Sequence, residues 1–499
     1  MEIEVKLLAR PGELSNVMRA VAEVASVVRE PAVKRLESRY YDTPCRKLLK
    51  SGMSLRVRRV GGGFVQTVKT EADGGFARGE WEKPVASFAP EMDGACDALA
   101  EVFVTEIERN KMIVCFPAWR SDPSRIELAL DTGIIRAGGR VLPVNEAELE
   151  LIEGSTADVL DLGARLAEML PLQLSLDSKS ARGYRLADNA TPSSAKADKL
   201  EFPDHVSLED GMRESLLACI RQWLANQASA FDGRDAEGVH QMRVALRRLR
   251  SAIQFFRDFI PEPPFKEFRD QSKWAANCLG PARDWDVFLL ETLPPVMELW
   301  PEHRGLRALY DEALRMRDDG YTQARVAMTS PAYTVFALRL AGWVERSGWR
   351  VGLCGDQIEA MQRPMTDHAG HLLDRLYHRA MDAGDGFDDL DSEAKHELRI
   401  ALKKLRYAGE FFRSLYPRKD VRKFRDALTA MLELLGKLND LTVAKHLCGH
   451  LMDLTKGDET LASGAATLVT FHQQRGHVSD KALSMAWDNL CGADPFWRD

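Results

Sequence analysis

From the second residue of this chain, charged and apolar side chains alternate: Glu2-Ile3-Glu4-Val5-Lys6-Leu7. On an extended strand successive side chains point to opposite faces, so Glu2, Glu4 and Lys6 share one face and Ile3, Val5 and Leu7 the other. The two-residue period returns in Leu55-Arg56-Val57-Arg58 and in Glu80-Trp81-Glu82. It returns again where Glu146, Glu148 and Glu150 alternate with Ala147, Leu149 and Leu151. Taken singly, each stretch reads as a half-buried strand showing its charges to water. Taken together they resist that reading, because two glutamates or two arginines on one strand face repel unless opposite charge lies between them. Acidic strands and basic strands with one period suggest a shared inner surface.

Further strands are expected at 36–42, 53–59, 64–69, 79–85, 107–116, 125–131 and 142–152, with glycines 61–63 as a hairpin turn. Helical periodicity is expected over 13–28 and 156–170. Antiparallel strands at short spacing with few helices point to a closed or nearly closed barrel. Residues 188–205 are polar and aperiodic, as a linker is. From 206 onward helical periods dominate. A chain of 499 residues is long enough for this two-domain, α+β division: 1–187, the linker 188–205, and 206–499.

The helical part carries an internal repeat. Val239-His240-Gln241-Met242-Arg243 through Arg250 realigns with Lys395-His396-Glu397-Leu398-Arg399 through Arg406, and Leu279-Gly280 through Asp284 realigns with Leu435-Gly436 through Asp440. Both pairs keep one offset of 156 residues. A single register over two helices implies two related bundles. On the first helix His240, Arg243, Arg247 and Arg250 form one cationic face opposite Met242, Leu246 and Leu249. His396, Arg399, Lys403 and Arg406 repeat it.

The net charge of -7 argues against a protein that coats nucleic acid, although it leaves room for local basic patches. Eight scattered cysteines without a C-x-x-C pair suit reduced thiols, and the chain starts on a charged strand with no secretory signal. No apolar run approaches the roughly 20 residues that span a bilayer. A cytoplasmic location with no membrane partner is expected. His446-x-x-x-His450 has the spacing of helical metal ligands but lacks a third ligand nearby, so zinc is not expected there.

Glu2-x-Glu4-x-Lys6, together with Arg39, Arg56-x-Arg58, Lys69, Glu80-x-Glu82, Arg109, Asp131, Glu148-x-Glu150 and Ser178-Lys179 before Arg182-Gly183-Tyr184, resembles the CYTH family, also called triphosphate tunnel metalloenzymes. The resemblance implies an eight-stranded antiparallel β-barrel with flanking helices, whose tunnel these residues line. It implies metal binding by Glu2, Glu4, Asp131, Glu148 and Glu150, with Mg²⁺ as cofactor and Mn²⁺ as an alternative. Lys6, Arg39, Arg56, Arg58, Lys69, Arg109 and Lys179 would hold triphosphate, and Glu2, Glu4, Lys6, Lys69 and Asp131 would carry catalysis. Glu80, Glu82, Glu127 and Glu146 are left without an assigned role. The first 187 residues contain no histidine, which excludes a phosphohistidine route there.

The repeated H-x-x-R-x-x-x-[RK]-[RK]-x-R helices resemble the CHAD domain, in which two four-helix bundles bring basic faces together to bind inorganic polyphosphate. The positions carried over are His240, Arg243, Arg247, Arg248, Arg250, His396, Arg399, Lys403, Lys404 and Arg406. The expected activity is metal-dependent hydrolysis of inorganic tripolyphosphate to pyrophosphate and phosphate. Alternatives are adenylate cyclase, a thiamine or nucleoside triphosphatase, and a non-catalytic polyphosphate-binding protein. Nucleic acid is not an expected partner, and the oligomeric state is left open.

Overall fold

Alternation along the early strands is resolved by one antiparallel sheet. The computed structural model describes residues 2–70, 77–91, 99–117, 122–454, 457–475 and 479–498, with backbone alone for Glu2, Glu30, Ala77, Arg78, 439–443, Leu454 and Arg475. The chain folds into two compact units: 1–196 with 220–242 and 325–348, and 197–219 with 243–324 and 349–499.

In the first unit the elements run β1 (Glu2–Leu8), α1 (Leu14–Val24), β2 (Ser26–Asp42), α2 (Lys47–Lys50), β3 (Met53–Val60), β4 (Gly63–Thr70), β5 (Ala77–Arg78), β6 (Glu80–Val85), β7 (Ala100–Phe116), β8 (Ser124–Ala137), β9 (Arg140–Glu153), α3 (Thr156–Met169), β10 (Gln173–Ser175) and α4 (Lys179–Asp188). Neighbouring strands follow the order β10-β1-β9-β8-β7-β2-β3-β4-β6, with β5 paired to β1. The expected antiparallel sheet is present, with ten strands rather than eight. Its ladder has two ends and forms no closed ring among the described residues.

Strands β1, β8 and β9 bury one set of side chains under helices and turn the other inward. Val5, Leu7, Leu128, Leu130 and Leu149 are buried, and α1 and α3 pack on strands β1, β8 and β9. On the inner side, Leu36, Tyr40, Phe103, Ile107, Ile135, Val144 and Tyr184 form an apolar cluster. Tyr184 comes from α4, whose start is fixed by Ser178 accepting from the Ala181 N–H.

Two boundaries differ from the sequence expectation. The helix expected over 13–28 stops at Val24, because Ser26 and Val27 pair with Cys115 and Val114 of β7. Long-range pairing of β-branched residues overrides the local helical period there. β2 is therefore 17 residues long, with register shifts on either side of Arg29, the second of them spanning Pro31, which lacks a donor for the ladder.

The helix Pro331–Glu345, buried on most sides, also packs in this unit, against α3. Leu338 meets Gly163, while Arg339 pairs with Glu168 and Arg346 with Asp161, each at 2.5 Å. Thr334 Oγ1 accepts from the Leu174 N–H at 3.2 Å, and Gln227 Nε2 donates to the Leu174 carbonyl at 2.8 Å. Both backbone groups of that β10 residue are thus met by side chains from the helical part of the chain.

The second unit is helical. The repeat is visible in its structure: helices Ala236–Phe255 and Ser392–Phe412 are each followed by a short 3₁₀ turn, Arg257–Phe259 and Arg413–Leu415, at the same 156-residue offset. Repeat-related rings touch each other, Phe255 against Phe411 at 5.9 Å and Phe256 against Phe412 at 6.3 Å. Contact between equivalent residues is what a local two-fold relation produces. No helix among the described residues is long and apolar enough to cross a membrane.

A charged cavity inside the sheet

Register places the inward charges in rows. Across β1, β9 and β8, Glu4 stands opposite Glu150 and Glu150 opposite Glu127; the next row holds Lys6, Glu148 and Ala129; the third holds Leu8, Glu146 and Asp131. Across β2, β3, β4 and β6 run Tyr40, Arg56, Thr67 and Glu82, and beside them Ser54, Lys69 and Glu80. A mainly acidic wall and a wall that mixes Arg56 and Lys69 with Glu80 and Glu82 thus line a cavity of about 350 Å³. Its lining carries seven bases (Lys6, Arg56, Arg58, Lys69, Arg109, Lys111, Lys179) and six acids (Glu4, Glu80, Glu82, Glu127, Glu148, Glu150).

Ion pairs hold the bases in place. Lys6 lies 3.2 Å from Glu4 and 3.4 Å from Glu148. Arg109 grips Asp131 with two hydrogen bonds of 2.7 and 2.6 Å and also reaches Glu148 at 2.5 Å. Arg56 and Lys69 meet Glu80 at 3.4 and 3.1 Å, and Thr67 donates to Glu82 at 2.9 Å. Lys111 pairs with Glu127, and Arg58 donates to Ser38 at 2.9 Å.

Burial works against charge here, and the neighbours outweigh it in most cases. Burial opposes the ammonium of Lys6, yet Glu4, Glu148 and Glu146 hold its pKa above the usual value. Burial likewise opposes the Glu148 carboxylate, but Lys179, Arg109 and Lys6 keep it ionised well below the usual range. Arg58 is the exception: burial, and then the adjacent Arg56, bring it down to about 9. Its guanidinium is short of negative charge, a condition that a bound anion relieves.

The carboxylates Asp131, Glu146 and Glu148 lie within 4.8 Å of one another, close enough to hold a metal ion. A cation already stands among them, the ammonium of Lys179, 2.6 Å from Asp131, 2.8 Å from Glu148 and in contact with Glu146. The row Glu4, Glu150 and Glu127 is different. Glu4 and Glu150 are like charges directly opposite across β1 and β9 at the cavity surface, an arrangement that costs stability without a cation. Hard carboxylate oxygens in that position fit a hard divalent ion.

Of the residues read from the sequence, Glu4, Lys6, Arg56, Arg58, Lys69, Arg109, Glu148, Glu150 and Lys179 come together around this cavity. The Glu2 side chain lies outside the described residues. Asp131 is fully buried beneath Arg109 and Lys179 and does not line the cavity, although it belongs to the carboxylate cluster with Glu146 and Glu148. Arg39 departs from the expectation. Ser38 and Tyr40 point inward, so Arg39 points outward, paired with Glu37 and Glu101 and lying over the Phe88 ring. Lys111 had not been singled out, although it follows Arg109 by two and so shares its face. Glu80, Glu82 and Glu127 lie in the cavity wall.

In the helical unit, Arg243 donates to the Ala276 carbonyl at 2.7 Å. Burial, and then Arg247 and Arg283 against the pull of Asp284, lowers its pKa. Arg250 is lowered by burial and by Arg269. The buried Nε atoms of Arg247 and Arg250 have no hydrogen-bond partner among the described residues. Arg269 and Arg283 therefore join the basic face, which sequence reading had confined to one helix per repeat. Arg248 leaves it: one step round the helix from Arg247, it is buried with its cation 5.1 Å from the Phe411 ring. In the second repeat Arg406 pairs with Glu410 at 3.7 Å, while His396 and Lys404 are exposed.

A CYTH domain model matches residues 1–184 and a CHAD domain model residues 214–449. An inorganic triphosphatase of Haemophilus influenzae is 29% identical over 199 residues, which cover 37% of this chain and 54% of that protein. The chain thus spans about half the length of this relative. The uncharacterized protein MT2285 of Mycobacterium tuberculosis is 24% identical, covering 96% of this chain and 94% of its own. The crystal structure of a CHAD domain from the plant Ricinus communis is similar with a TM-score of 0.53 and 29% identity, covering 60% of this chain and 98% of that one.

Proposed function

We propose that this chain, a CYTH domain followed by a CHAD domain, hydrolyses inorganic tripolyphosphate to pyrophosphate and phosphate in the sheet cavity with the help of Mg²⁺, and binds polyphosphate with its helical unit. The observation that carries the first part is the meeting of seven basic and six acidic side chains around one cavity. Seven bases nearly balanced by six acids leave little net attraction for a polyanion on its own. They suit a polyanion that arrives with a cation. The named relative from H. influenzae supports the inorganic substrate.

Glu4, Glu148 and Glu150 would hold the cation, which supplies Lewis-acid charge to phosphate oxygens. Arg56, Arg58, Lys69, Arg109 and Lys179 bind the remaining oxygens, the arginines through their two-pronged guanidinium groups. Lys6, kept charged between Glu4 and Glu148, ties the acidic wall to the phosphates. Catalysis of this kind is mostly positioning and charge stabilisation. For the helical unit, Arg243, Arg247, Arg250 and Arg283 are partly buried bases with the exposed Arg269 beside Arg250, a crowding that a chain of phosphates relieves. His240, His396, Arg399, Lys403, Lys404 and Arg406 extend the proposal to the rest of the repeat.

The test is phosphate release from tripolyphosphate, ATP, thiamine triphosphate and long-chain polyphosphate, each with Mg²⁺, with Mn²⁺ and with chelator, for wild type and Glu4→Gln. Turnover should be fastest on tripolyphosphate, require the metal, and fall by about a hundredfold or more in Glu4→Gln. Preference for ATP with pyrophosphate as product would replace the reading with a cyclase. Unimpaired Glu4→Gln at limiting metal would remove Glu4 from the ligand set.

A further inference from the structure

We propose that Glu146 is a positioning residue that clamps the first turn of α4 to β9, and so fixes the Lys179 ammonium in the cavity wall. Glu146 is fully buried and is not among the cavity-lining residues. Both of its ion pairs among the described residues go to α4, to Lys179 and to Arg182. Those two residues are three apart, on one face of one helical turn. The carboxylate therefore takes hold of α4 at two adjacent points, one for each oxygen.

The three acids around Lys179 differ in what else they hold. Asp131 and Glu148 also grip Arg109 of β7. Glu146 grips Arg182, whose side chain is largely buried and has this carboxylate as its ion-pair partner. Losing it strands a guanidinium away from water, a costly state that shifting α4 outward would relieve. Farther along the helix, Gly183 lies directly against Phe103, which leaves α4 little room to settle elsewhere. The clamp and the glycine contact fix both ends of the segment that carries Lys179. The rival role, metal ligand, requires an ion where the Lys179 ammonium already stands.

The proposal rests on the triphosphate reading only in giving Lys179 a phosphate to hold. The full chain is compared as wild type, Glu146→Gln, Arg182→Met, Lys179→Met and the double variant Glu146→Gln/Lys179→Met. Three quantities are read: tripolyphosphate affinity by calorimetry with Ca²⁺ supplied in place of Mg²⁺, Mn²⁺ affinity by electron paramagnetic resonance without substrate, and hydrogen exchange of the α4 amides. Glu146→Gln should weaken tripolyphosphate binding about tenfold, the usual loss for a misplaced charge-assisted contact. Arg182→Met, which leaves the acids untouched, should weaken it several-fold, on the order of half that effect in free energy. In the Lys179→Met background Glu146→Gln should add nothing to the loss of tripolyphosphate binding, and Mn²⁺ affinity should stay within about twofold of wild type in Glu146→Gln and in Arg182→Met.

Tenfold weaker Mn²⁺ binding in Glu146→Gln with unchanged Arg182→Met would make Glu146 a metal ligand and overturn the clamp. Additive losses in the double variant would show that it acts independently of Lys179. Should the wild-type chain bind no tripolyphosphate, the functional reading fails by itself. The clamp is then decided by exchange: faster α4 amides in both Glu146→Gln and Arg182→Met support it, and unchanged rates refute it.

Discussion

Replacing Gly183 by alanine measures how tightly α4 is seated. The added Cβ falls 2.2, 2.4 and 2.5 Å from three atoms of the Phe103 ring. That ring is 1% exposed and held between Tyr40, stacked at 4.3 Å, and Tyr184, edge-on at 5.3 Å. It has nowhere to swing, so the helix must lift or the aromatic cluster must spread. Overpacking of this kind costs about 1–3 kcal/mol. Alanine returns about 1 kcal/mol through helix propensity, which leaves a net loss of roughly 1 kcal/mol and a midpoint lower by about 2–4 °C for a unit of this size. Gly436→Ala supplies the opposite case. Gly436 lies within the helix Arg418–Leu454 with nothing within 4 Å of the added carbon, so only the propensity gain of about 1 kcal/mol applies. Scanning calorimetry of the full chain, with hydrogen exchange to assign each transition to its unit, should show shifts of opposite sign. A Gly183→Ala chain that unfolds at or above the wild-type temperature would refute the tight seating of α4.

Two further outcomes follow from the charges. Arg58, brought down to about 9 by burial and then by Arg56, is neutral above that pH, so kcat/KM for tripolyphosphate should fall as pH rises through about 9, and Arg58→Met should lose that limb. Because the folded chain binds this proton less tightly than the unfolded one, the same group makes stability rise with pH from about 9 up to the ordinary arginine range; a fall over that window in wild type relative to Arg58→Met would contradict the shift. In the helical unit, neutralising Arg243, Arg247, Arg399 and Lys403 together should abolish binding of long polyphosphate to the full chain. Wild-type affinity should drop steeply between low and high salt as counterions are released, and equal affinity of the two chains would make these faces ordinary solvated surface.

How far the sequence could be read depended on whether the relevant fact was local. Alternation is local, so Glu4, Lys6, Arg56, Arg58, Glu148 and Glu150 were placed on the right face before any strand was paired. Arg39 failed because Arg39-Tyr40-Tyr41 gives no cue to which parity turns inward; pairing with β3 and β7 decides it. Lys111 stands two residues beyond Arg109, so alternation alone places it on the same face. The inward reach of Arg182 depends on where α4 docks, which no period reveals. Nor did the sequence show that Pro331–Glu345 packs on α3, since a helix apolar on most sides carries no arrow toward its partner. The repeat offset was plain, but contact between Phe255 and Phe411 needed three dimensions.

Leu174 bears on how such a protein can be inherited. Its N–H and carbonyl are met by Thr334 and Gln227, residues 160 and 53 positions further along. A chain ended at Asp188 keeps all ten strands, yet it bares two backbone groups on β10 and the flank of α3 that Pro331–Glu345 covers. A break in the polar stretch that follows Asp188 would therefore divide a folding unit rather than separate two of them. Substitutions near Thr334 can then disturb the sheet whose first strand carries Glu4, and natural recombination has reason to carry both stretches of the gene together.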